Sequence, residues 1–205
     1  MMQVDRGEHL RAGEWLDLNR SYWEGRVRDG APRTALVESA LASAVAPRVL
    51  HLGSGDGAEA LALAARGAEV IGVDFAMPAV RRARDDAARL ELTGRARFLC
   101  ANLYESRHML PEPDSFDVVL TTAGTVSWLP DLDEWARIVE WFVRPGGVAV
   151  VGPRSGRAPA SSELRTWSRP AEELAHALRA VGLTVREGEP LVAAKGAAEG
   201  PTGER

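Results

Sequence analysis

Short apolar runs alternate with helical patterns through the middle of the chain. Each run has four to six residues rich in valine, leucine and isoleucine, which is typical of strands buried on both faces. The runs predict strands at residues 48–52, 69–73, 97–100, 116–121 and 148–151. Helical spacing between them predicts helices at residues 59–66, 77–92 and 131–143. This alternation predicts a parallel α/β sheet covered by helices on both faces.

The two ends of the chain depart from this alternation. A helix predicted at residues 170–181 is followed by two apolar segments, LTVRE and PLVAAK, with only a few residues around Gly188 between them. Such short spacing predicts an antiparallel hairpin that closes the sheet. Upstream, helical patterns are found at residues 14–28 and 32–45. The predicted regions are therefore a helical N-terminal cover at 1–45, an α/β domain at 46–195 and a disordered tail at 196–205.

Composition limits the classes of protein that the chain can be. With 26% charged residues and a net charge of −4, it has no basic footprint, which argues against a nucleic-acid partner. Its single cysteine, Cys100, excludes a disulfide within the chain and a thiolate metal cluster. No apolar run approaches the roughly 18 residues that span a bilayer, and no secretory signal is recognisable. These features predict a cytoplasmic protein, and the single lysine among 25 basic residues suggests a GC-rich bacterial genome.

The first predicted strand continues into a glycine loop, VLHLGSGDGA. Gly53, Gly55 and Gly57 allow a sharp turn and bring backbone amides close to a ligand, and the following helix favours negative charge. Asp74 ends the second strand, where a carboxylate can accept hydrogen bonds from ribose hydroxyls. The loop matches the G-x-G-x-x-G/A pattern of dinucleotide-binding proteins, and it equally matches the G-x-G-x-G pattern of S-adenosylmethionine enzymes. The loop alone leaves both cofactors open.

Three further segments favour one of these two cofactors. They are NRSYW at residues 19–23, VLHL at residues 49–52 and WLPDLDEWA at residues 128–136. With them the chain resembles class I S-adenosylmethionine-dependent methyltransferases over roughly residues 19 to 195, and among these a bacterial group that acts on small molecules. The resemblance implies a Rossmann-like seven-stranded sheet with a closing antiparallel hairpin, and S-adenosyl-L-methionine as the cofactor. It also accounts for His51, because that group has histidine where many methyltransferases have an acidic residue.

The resemblance also implies which residues contact the cofactor. His51 and the glycine loop would surround its methionine portion and ribose, Asp74 would bind the ribose hydroxyls, and Asn102 would read the adenine amino group through its amide oxygen. Tyr22 would lie over the cofactor as part of the N-terminal cover. The expected cofactor-binding residues are Tyr22, His51, Gly53, Ser54, Gly55, Gly57, Asp74, Phe75, Asn102, Leu103, Thr121 and Thr122.

The sequence contains no clear general base. Tyr22, Tyr104 and His108 are the candidates for a catalytic residue, although the polar loop that holds the last two is more typical of an exposed surface. Methyl transfer from a sulfonium needs alignment above all, so a base is required only if the acceptor must first lose a proton. The fourth strand is followed by TTAG and not by the [DN]PP[YFW] motif of enzymes that methylate nucleic-acid amino groups. Nucleic-acid methylation is therefore disfavoured, and no metal site is expected.

Several aromatic and histidine positions have a structural interpretation as well. Trp135 and Trp141 recur at core spacing on a predicted helix and are expected to pack. Trp128 fits a substrate wall and plain packing equally well. For His51, a cofactor contact and a buried structural histidine are equally compatible with the sequence.

Three functions are compatible with these observations. The first is methyl transfer to an oxygen, nitrogen or carbon atom of a small molecule, in bacterial specialised metabolism. The segment at residues 153–166 is shorter than the substrate cover of the resembled group, which keeps open a second function, S-adenosylmethionine binding without methyl transfer. The third is a nicotinamide-dependent oxidoreductase. We expect no membrane partner, and the sequence leaves a homodimer open.

Overall fold

Strand β1 (Arg48–Leu52) lies inside the sheet and is buried from its second residue onward. The computed structural model describes residues 14–25, 31–153, 166–167, 169–186 and 188–197. Within these ranges the other strands are β2 (Glu69–Asp74), β3 (Ala96–Cys100), β4 (Phe116–Thr122), β5 (Val143–Gly152), β6 (Thr184–Arg186) and β7 (Leu191–Ala194). Their order in the sheet is β3-β2-β1-β4-β5-β7-β6.

In the described part of the chain, six of the seven strands point in one direction and β7 alone reverses it. β1 pairs in parallel with β2 and β4, and the same direction continues to β3 and β5. β7 pairs antiparallel with β5, and β6 pairs antiparallel with β7. This topology confirms the predicted Rossmann-like sheet with its closing hairpin. Because the parallel strands share one direction, their carboxyl ends meet along one edge, where ligands of open α/β sheets bind.

Two layers of helices bury the two faces of the sheet. Side chains alternate along β1, so that Val49 packs in one core layer and Leu50 in the other. Leu36 and Leu63 come from helices in the first layer, and Trp135 from a helix in the second. The described helices are α1 (Glu14–Glu24), α2 (Thr34–Leu41), α3 (Ala58–Ala65), α4 (Met77–Arg89), α5 (Ser106–Met109), α6 (Ala123–Val126), α7 (Leu132–Phe142) and α8 (Ala171–Ala180), with a 3-10 turn at Leu103–Glu105.

The start of β5 differs from the prediction. The RPGG sequence predicts a turn before a strand at residues 148–151, but β5 already begins at Val143. The amide of Gly146 donates to the carbonyl of Lys195 at 3.1 Å, and the amide of Lys195 donates to the carbonyl of Gly147 at 3.0 Å. The strand extends because Val143 already pairs with Phe116 of β4 and the chain that follows β7 pairs with the glycine backbone. Such a distant partner cannot be recognised from local turn chemistry.

Other predicted boundaries shift by smaller amounts. The helix predicted at 32–45 is shorter in the structure, and the short helices α5 and α6 were not expected within their loops. Most of the polar segment 153–166 and of the tail 196–205 lies outside the described residues. The division into a cover at 1–45 and a domain at 46–195 stays a prediction.

Trp135 and Trp141 provide a test of the core. Trp135 is 0% exposed, whereas Trp141 is half-buried and packs edge-on against Phe142 at a centroid distance of 4.8 Å. We expect Trp135→Ala to lower the free energy of unfolding by about 3–5 kcal/mol. Trp141→Ala should lower it less, because part of that ring is already in water. Urea denaturation followed by circular dichroism measures both, and equal losses would contradict this description of the core.

Candidate functional site

The glycine loop turns back onto β2 directly after β1. The amides of Gly53 and Ser54 both donate to the carbonyl of Val73, at 2.8 and 3.1 Å. The amide of Gly57 then donates to the carbonyl of Ser54 at 3.0 Å, and α3 begins at the next residue. The loop therefore crosses the carboxyl ends of β1 and β2, and the amino end of α3 lies at the same edge of the sheet.

Two of the glycines are needed for different reasons. At Gly53, where φ is 74°, a Cβ atom would collide with the side chain of Thr125, so the loop and α6 are in close contact. At Gly55, where φ is 54°, a Cβ atom would meet no other atom within 4 Å. The backbone at Gly55 thus borders open space. Glycine at such a position lets a ligand approach the backbone closely.

Asp74 joins this loop to the end of β2. Its Oδ2 accepts a hydrogen bond from the amide of Gly55 at 2.8 Å, and its Oδ1 accepts one from the amide of Ala76 at 2.9 Å. Burial raises the pKa of the Asp74 carboxyl above its usual range, although the two amides partly oppose this effect. Each carboxylate oxygen has further acceptor capacity, so the group that holds the loop can also bind a diol. The sequence predicts the ribose contact, whereas the contact with the loop is visible only in the structure.

His51 lies beneath the loop, on the same side of β1 as Val49 and the helices of that layer. It is buried, and neither ring nitrogen has a hydrogen-bond partner among the described residues. Burial lowers the pKa of His51 to about 4, while the Glu59 carboxylate opposes this effect and the Arg33 guanidinium adds to it. The imidazole is therefore neutral at physiological pH.

Glu59 and Arg33 form a partly buried ion pair near His51. Arg33 Nε donates to Glu59 Oε1 at 2.7 Å, and the Arg33 amide reaches the same oxygen at 3.3 Å. Arg33 precedes α2 and Glu59 lies in the first turn of α3, so the pair connects the starts of two helices. Sequence reasoning missed both residues. The available signal was an acidic residue in the first turn of the helix that follows the glycine loop.

The residues that follow β2 and β3 combine packing with possible ligand contacts. Asn102 Oδ1 accepts a hydrogen bond from the amide of Tyr104 at 3.2 Å and caps the 3-10 turn. This is the oxygen predicted to read adenine, and a carbonyl oxygen has a second lone pair for such a contact. Leu103 is buried, and Phe75 is half-buried at the end of β2.

Hydroxyl side chains follow β4. Thr122 Oγ1 accepts a hydrogen bond from the amide of Thr125 at 3.0 Å and begins α6. Thr121 and Ser54 are buried, and their hydroxyls have no partner among the described residues. Buried polar groups without partners are uncommon in proteins. Their presence at the ends of β1 and β4 is consistent with a polar ligand at this edge.

Helix α1 covers the same edge. The Trp15 ring lies 6.1 Å from that of Tyr104, which follows β3, while Tyr22 and Trp23 contact Trp128, which follows β4. The glycine loop and Asp74 lie between these strands, because β2 and β1 separate β3 from β4 in the sheet. The predicted role of Tyr22 in a cover is compatible with this placement.

The three catalytic candidates occupy different environments. The buried Tyr104 hydroxyl donates to the carbonyl of Asp131 at 3.0 Å and accepts from the amide of Asp131 at 2.8 Å, which fixes the start of α7. His108 is exposed on α5, and Tyr22 is half-buried in the cover. Of these three residues, Tyr22 therefore lies on the helix that covers the carboxyl ends of the strands.

These parts fit a cofactor that contains adenosine. Open backbone at Gly55, a carboxylate with acceptor capacity at Asp74 and unpartnered hydroxyls share one edge with the apolar Leu103. Within the described ranges, no group of three or more histidine, cysteine, aspartate or glutamate residues is placed to hold a metal ion. No helix in that part of the chain is long and apolar enough to cross a membrane.

Residues 49–147 match the model of the methyltransferase domain family. The match covers just under half of the chain and assigns this segment to the methyltransferase domain family. The match begins in β1, ends in β5 and includes the glycine loop, Asp74, Asn102 and the threonines after β4. S-adenosyl-L-methionine is the cofactor of the methyltransferase domain. Among curated proteins, no sequence matches the chain.

Solved structures share the fold of the methyltransferase domain. The 1,6-didemethyltoxoflavin-N1-methyltransferase of Burkholderia thailandensis, with bound 1,6-didemethyltoxoflavin and S-adenosylhomocysteine, has a TM-score of 0.73 and 22% identity over 96% of this chain and 93% of that chain. Geranyl diphosphate C-methyltransferase of Streptomyces coelicolor A3(2), in complex with Mg2+, geranyl diphosphate and S-adenosyl-L-homocysteine, has a TM-score of 0.68 and 15% identity over 86% and 82%. The [4+2]-cyclase SpnF has a TM-score of 0.61 and 22% identity over 88% and 73%. At these identities the likeness concerns the fold.

The buried His51 should make the methyltransferase domain less stable in acid. The unfolded chain binds a proton at this imidazole below about pH 6.5, and the folded chain does so only below about pH 4. The free energy of unfolding should therefore fall as the pH is lowered through this window, by up to about 1.4 kcal/mol per pH unit from this residue. His51→Gln should flatten the dependence, which urea denaturation at several pH values measures.

The matched control is His176→Gln, because His176 is exposed on α8. It should leave the pH dependence of stability as it is in the unmodified chain. If His51→Gln also left the dependence unchanged, the neutral buried imidazole would be the wrong description.

Proposed function

We propose that this chain transfers the methyl group of S-adenosylmethionine to an oxygen, nitrogen or carbon atom of a small molecule. The observation that carries the proposal is the Asp74 carboxylate, which the amides of Gly55 and Ala76 fix at the end of β2. Two acceptor oxygens thereby lie beside the open backbone of the glycine loop, as a ribose diol requires. Two methyltransferases of similar fold contain 1,6-didemethyltoxoflavin or geranyl diphosphate, which supports a small-molecule acceptor.

Each part of the site would have one task. Asp74 would hold the ribose, the glycine-loop amides would face the methionine portion, and Asn102 with Leu103 would contact the adenine. Tyr22 and the rest of α1 would exclude water. When bound, S-adenosylmethionine supplies a methyl group on a sulfonium that is already a good leaving group. The contribution of the chain is therefore mainly to align the acceptor.

The segment after β4 carries hydroxyls and no group that ionises near neutral pH. Residues 121–128 read TTAGTVSW. The hydroxyls of Thr122 and Thr125 lie 3.1 Å apart and share a hydrogen bond. This segment therefore offers no general base, and an acceptor that must lose a proton would need a base from another part of the chain.

A second candidate function is cofactor binding with a different reaction or with none. Most of residues 153–166, the segment that would form the substrate cover, lies outside the described residues. The [4+2]-cyclase SpnF has a similar fold, which supports this alternative. The third interpretation, a nicotinamide-dependent oxidoreductase, is supported only by the match of Gly53, Gly55 and Ala58 to the looser G-x-G-x-x-A pattern.

The cellular setting follows from the sequence alone. We infer a cytoplasmic bacterial protein of specialised metabolism, without a nucleic-acid partner. The net charge of −4 and the absence of the nucleic-acid motif after β4 support this inference. A homodimer is left open.

Calorimetry tests the cofactor site. S-adenosylmethionine and S-adenosylhomocysteine should bind, and NAD should not. Asp74→Ala should weaken binding of both adenosyl compounds by about 1.5–3 kcal/mol, because the ribose hydroxyls lose charged hydrogen-bond partners. Micromolar binding of NAD without binding of S-adenosylmethionine would overturn the proposed function.

Asp85→Ala is the matched control, since it removes the same charge from an exposed position on α4. It should leave cofactor affinity unchanged. If folded Asp74→Ala also kept full affinity, Asp74 would not hold the ribose. Formation of S-adenosylhomocysteine in the presence of candidate metabolites then separates methyl transfer from cofactor binding alone.

A further inference from the structure

A buried amide oxygen on α1 has no partner among the described residues. Asn19 is 1% exposed, and its Nδ2 donates to the carbonyl of Trp15 at 2.8 Å. This contact fixes the orientation of the amide, because only its NH2 group can donate to a carbonyl. Oδ1 is therefore the atom that lacks a donor. Folded proteins rarely leave a buried acceptor without a partner, so this atom is a candidate for a ligand contact, as is the unpartnered Nε1 of Trp15 one turn earlier.

Asn19 is close along α1 to an aromatic cluster, which consists of Tyr22, Trp23 and Trp128. The ring centroids of the cluster lie 5.2 to 5.4 Å from one another, and Tyr22 stacks on Trp128 at an interplanar angle of 30°. Trp128 is buried, whereas Tyr22 and Trp23 are half-buried. Residues three and four positions apart are neighbours on a helix surface, so Asn19 lies on the same face of α1 as Tyr22 and Trp23.

The position of the cluster in the fold suggests what it contacts. Trp128 directly follows the TTAGTVS segment at the carboxyl end of β4, whereas Asp74 and the glycine loop lie at the ends of β2 and β1. In the sheet order, β4 is beside β1 and β2 is on its other side. The aromatic cluster is therefore on the opposite side of the loop from the proposed ribose contact. If Asp74 holds the ribose, the cluster lies beyond the loop from it, where there is room in the strand order for a methyl acceptor.

We propose that Asn19 Oδ1 and the aromatic cluster bind the methyl acceptor, and that this acceptor is a planar ring compound with an N–H or O–H group. The inference rests on the proposed function and adds the class of substrate to it. A planar ring matches aromatic side chains, which prefer stacked or edge-on contacts with other rings. The polar hydrogen supplies the donor that Oδ1 lacks. Neither Asn19 nor the cluster carries a charge that would pair with a phosphate or a carboxylate.

One competing role for Asn19 is a contact with the cofactor itself. The ammonium group of its methionine portion could also donate to Oδ1. In that case Asn19→Leu would weaken binding of S-adenosylhomocysteine, which has the same ammonium group. Under our proposal Asn19→Leu leaves that binding intact and weakens only the binding of the ring compound.

Three probes of one carbon skeleton test the substrate class. They are 2-naphthol, which is planar and has an O–H, 2-methoxynaphthalene, which is planar without it, and decahydro-2-naphthol, which has the O–H without the planar rings. Binding is measured by calorimetry on the full chain with saturating S-adenosylhomocysteine. We expect 2-naphthol to bind about tenfold more tightly than either of the other two.

Two variants test whether Asn19 and Trp128 cause the preference for 2-naphthol. Asn19→Leu should reduce the affinity for 2-naphthol about tenfold, to that of 2-methoxynaphthalene. Trp128→Leu should reduce it to that of decahydro-2-naphthol. Trp141→Leu makes the same change at a half-buried tryptophan on α7 and should have no effect. Circular dichroism confirms the fold of each variant, and the comparison of the three probes on the unmodified chain needs no variant.

The outcomes separate this inference from the proposed function. Similar affinities of the three probes, or no binding of 2-naphthol at millimolar concentration, would overturn the inference while binding of S-adenosylhomocysteine still supported the proposed function. Loss of S-adenosylhomocysteine binding in Asn19→Leu would place Asn19 in the cofactor site. That result would also overturn the inference. If the unmodified chain bound neither adenosyl compound, the proposed function itself would fail.

Discussion

The hydrogen bond between the Asp74 carboxylate and the Gly55 amide is the contact on which the candidate site depends. It ties the loop after β1 to the end of β2, its neighbour in the sheet, and so sets where the backbone is open. Burial raises the pKa of this carboxyl, so the fold tolerates an unfavourable environment for a charge there. A neutral acceptor could hold the loop as well. The acidic group is best explained by a ligand with hydroxyls to donate.

The sheet could be predicted from sequence to a greater extent than the site. Buried parallel strands have almost no polar positions, so their apolar runs stand out, and β1 falls at the predicted residues. The turn predicted at RPGG was wrong because the backbone of this segment pairs with the chain around Lys195. Glu59 and Arg33 were missed for a similar reason, since an ion pair between residues 26 positions apart leaves no local pattern. Family resemblance supplied the site residues, but it could not show that Asn102 and Asp74 also hold backbone in place.

Among the described residues, eight have buried side-chain polar atoms without a partner: Trp15, Asn19, His51, Ser54, Ser106, Thr121, Trp135 and Arg169. Four of them bear on the candidate site. Asn19, His51, Ser54 and Thr121 are all buried, and all have polar atoms without a partner. The last three lie on or directly after the adjacent strands β1 and β4, and Asn19 is on the helix that covers their ends. Such atoms reduce the stability of the chain by itself. A ligand that paired with those atoms would therefore stabilise the fold.

The order of strands also affects how the chain reaches this fold. β1 pairs with β4, and Val49 is matched with Val118, so the middle of the sheet cannot close until β4 has left the ribosome. Helix α1 precedes all the strands in the chain, but the rings that it packs against belong to Tyr104 and Trp128. Its own aromatic side chains therefore stay exposed during most of translation. The helix that we propose to exclude water from the site is thus among the last elements to pack.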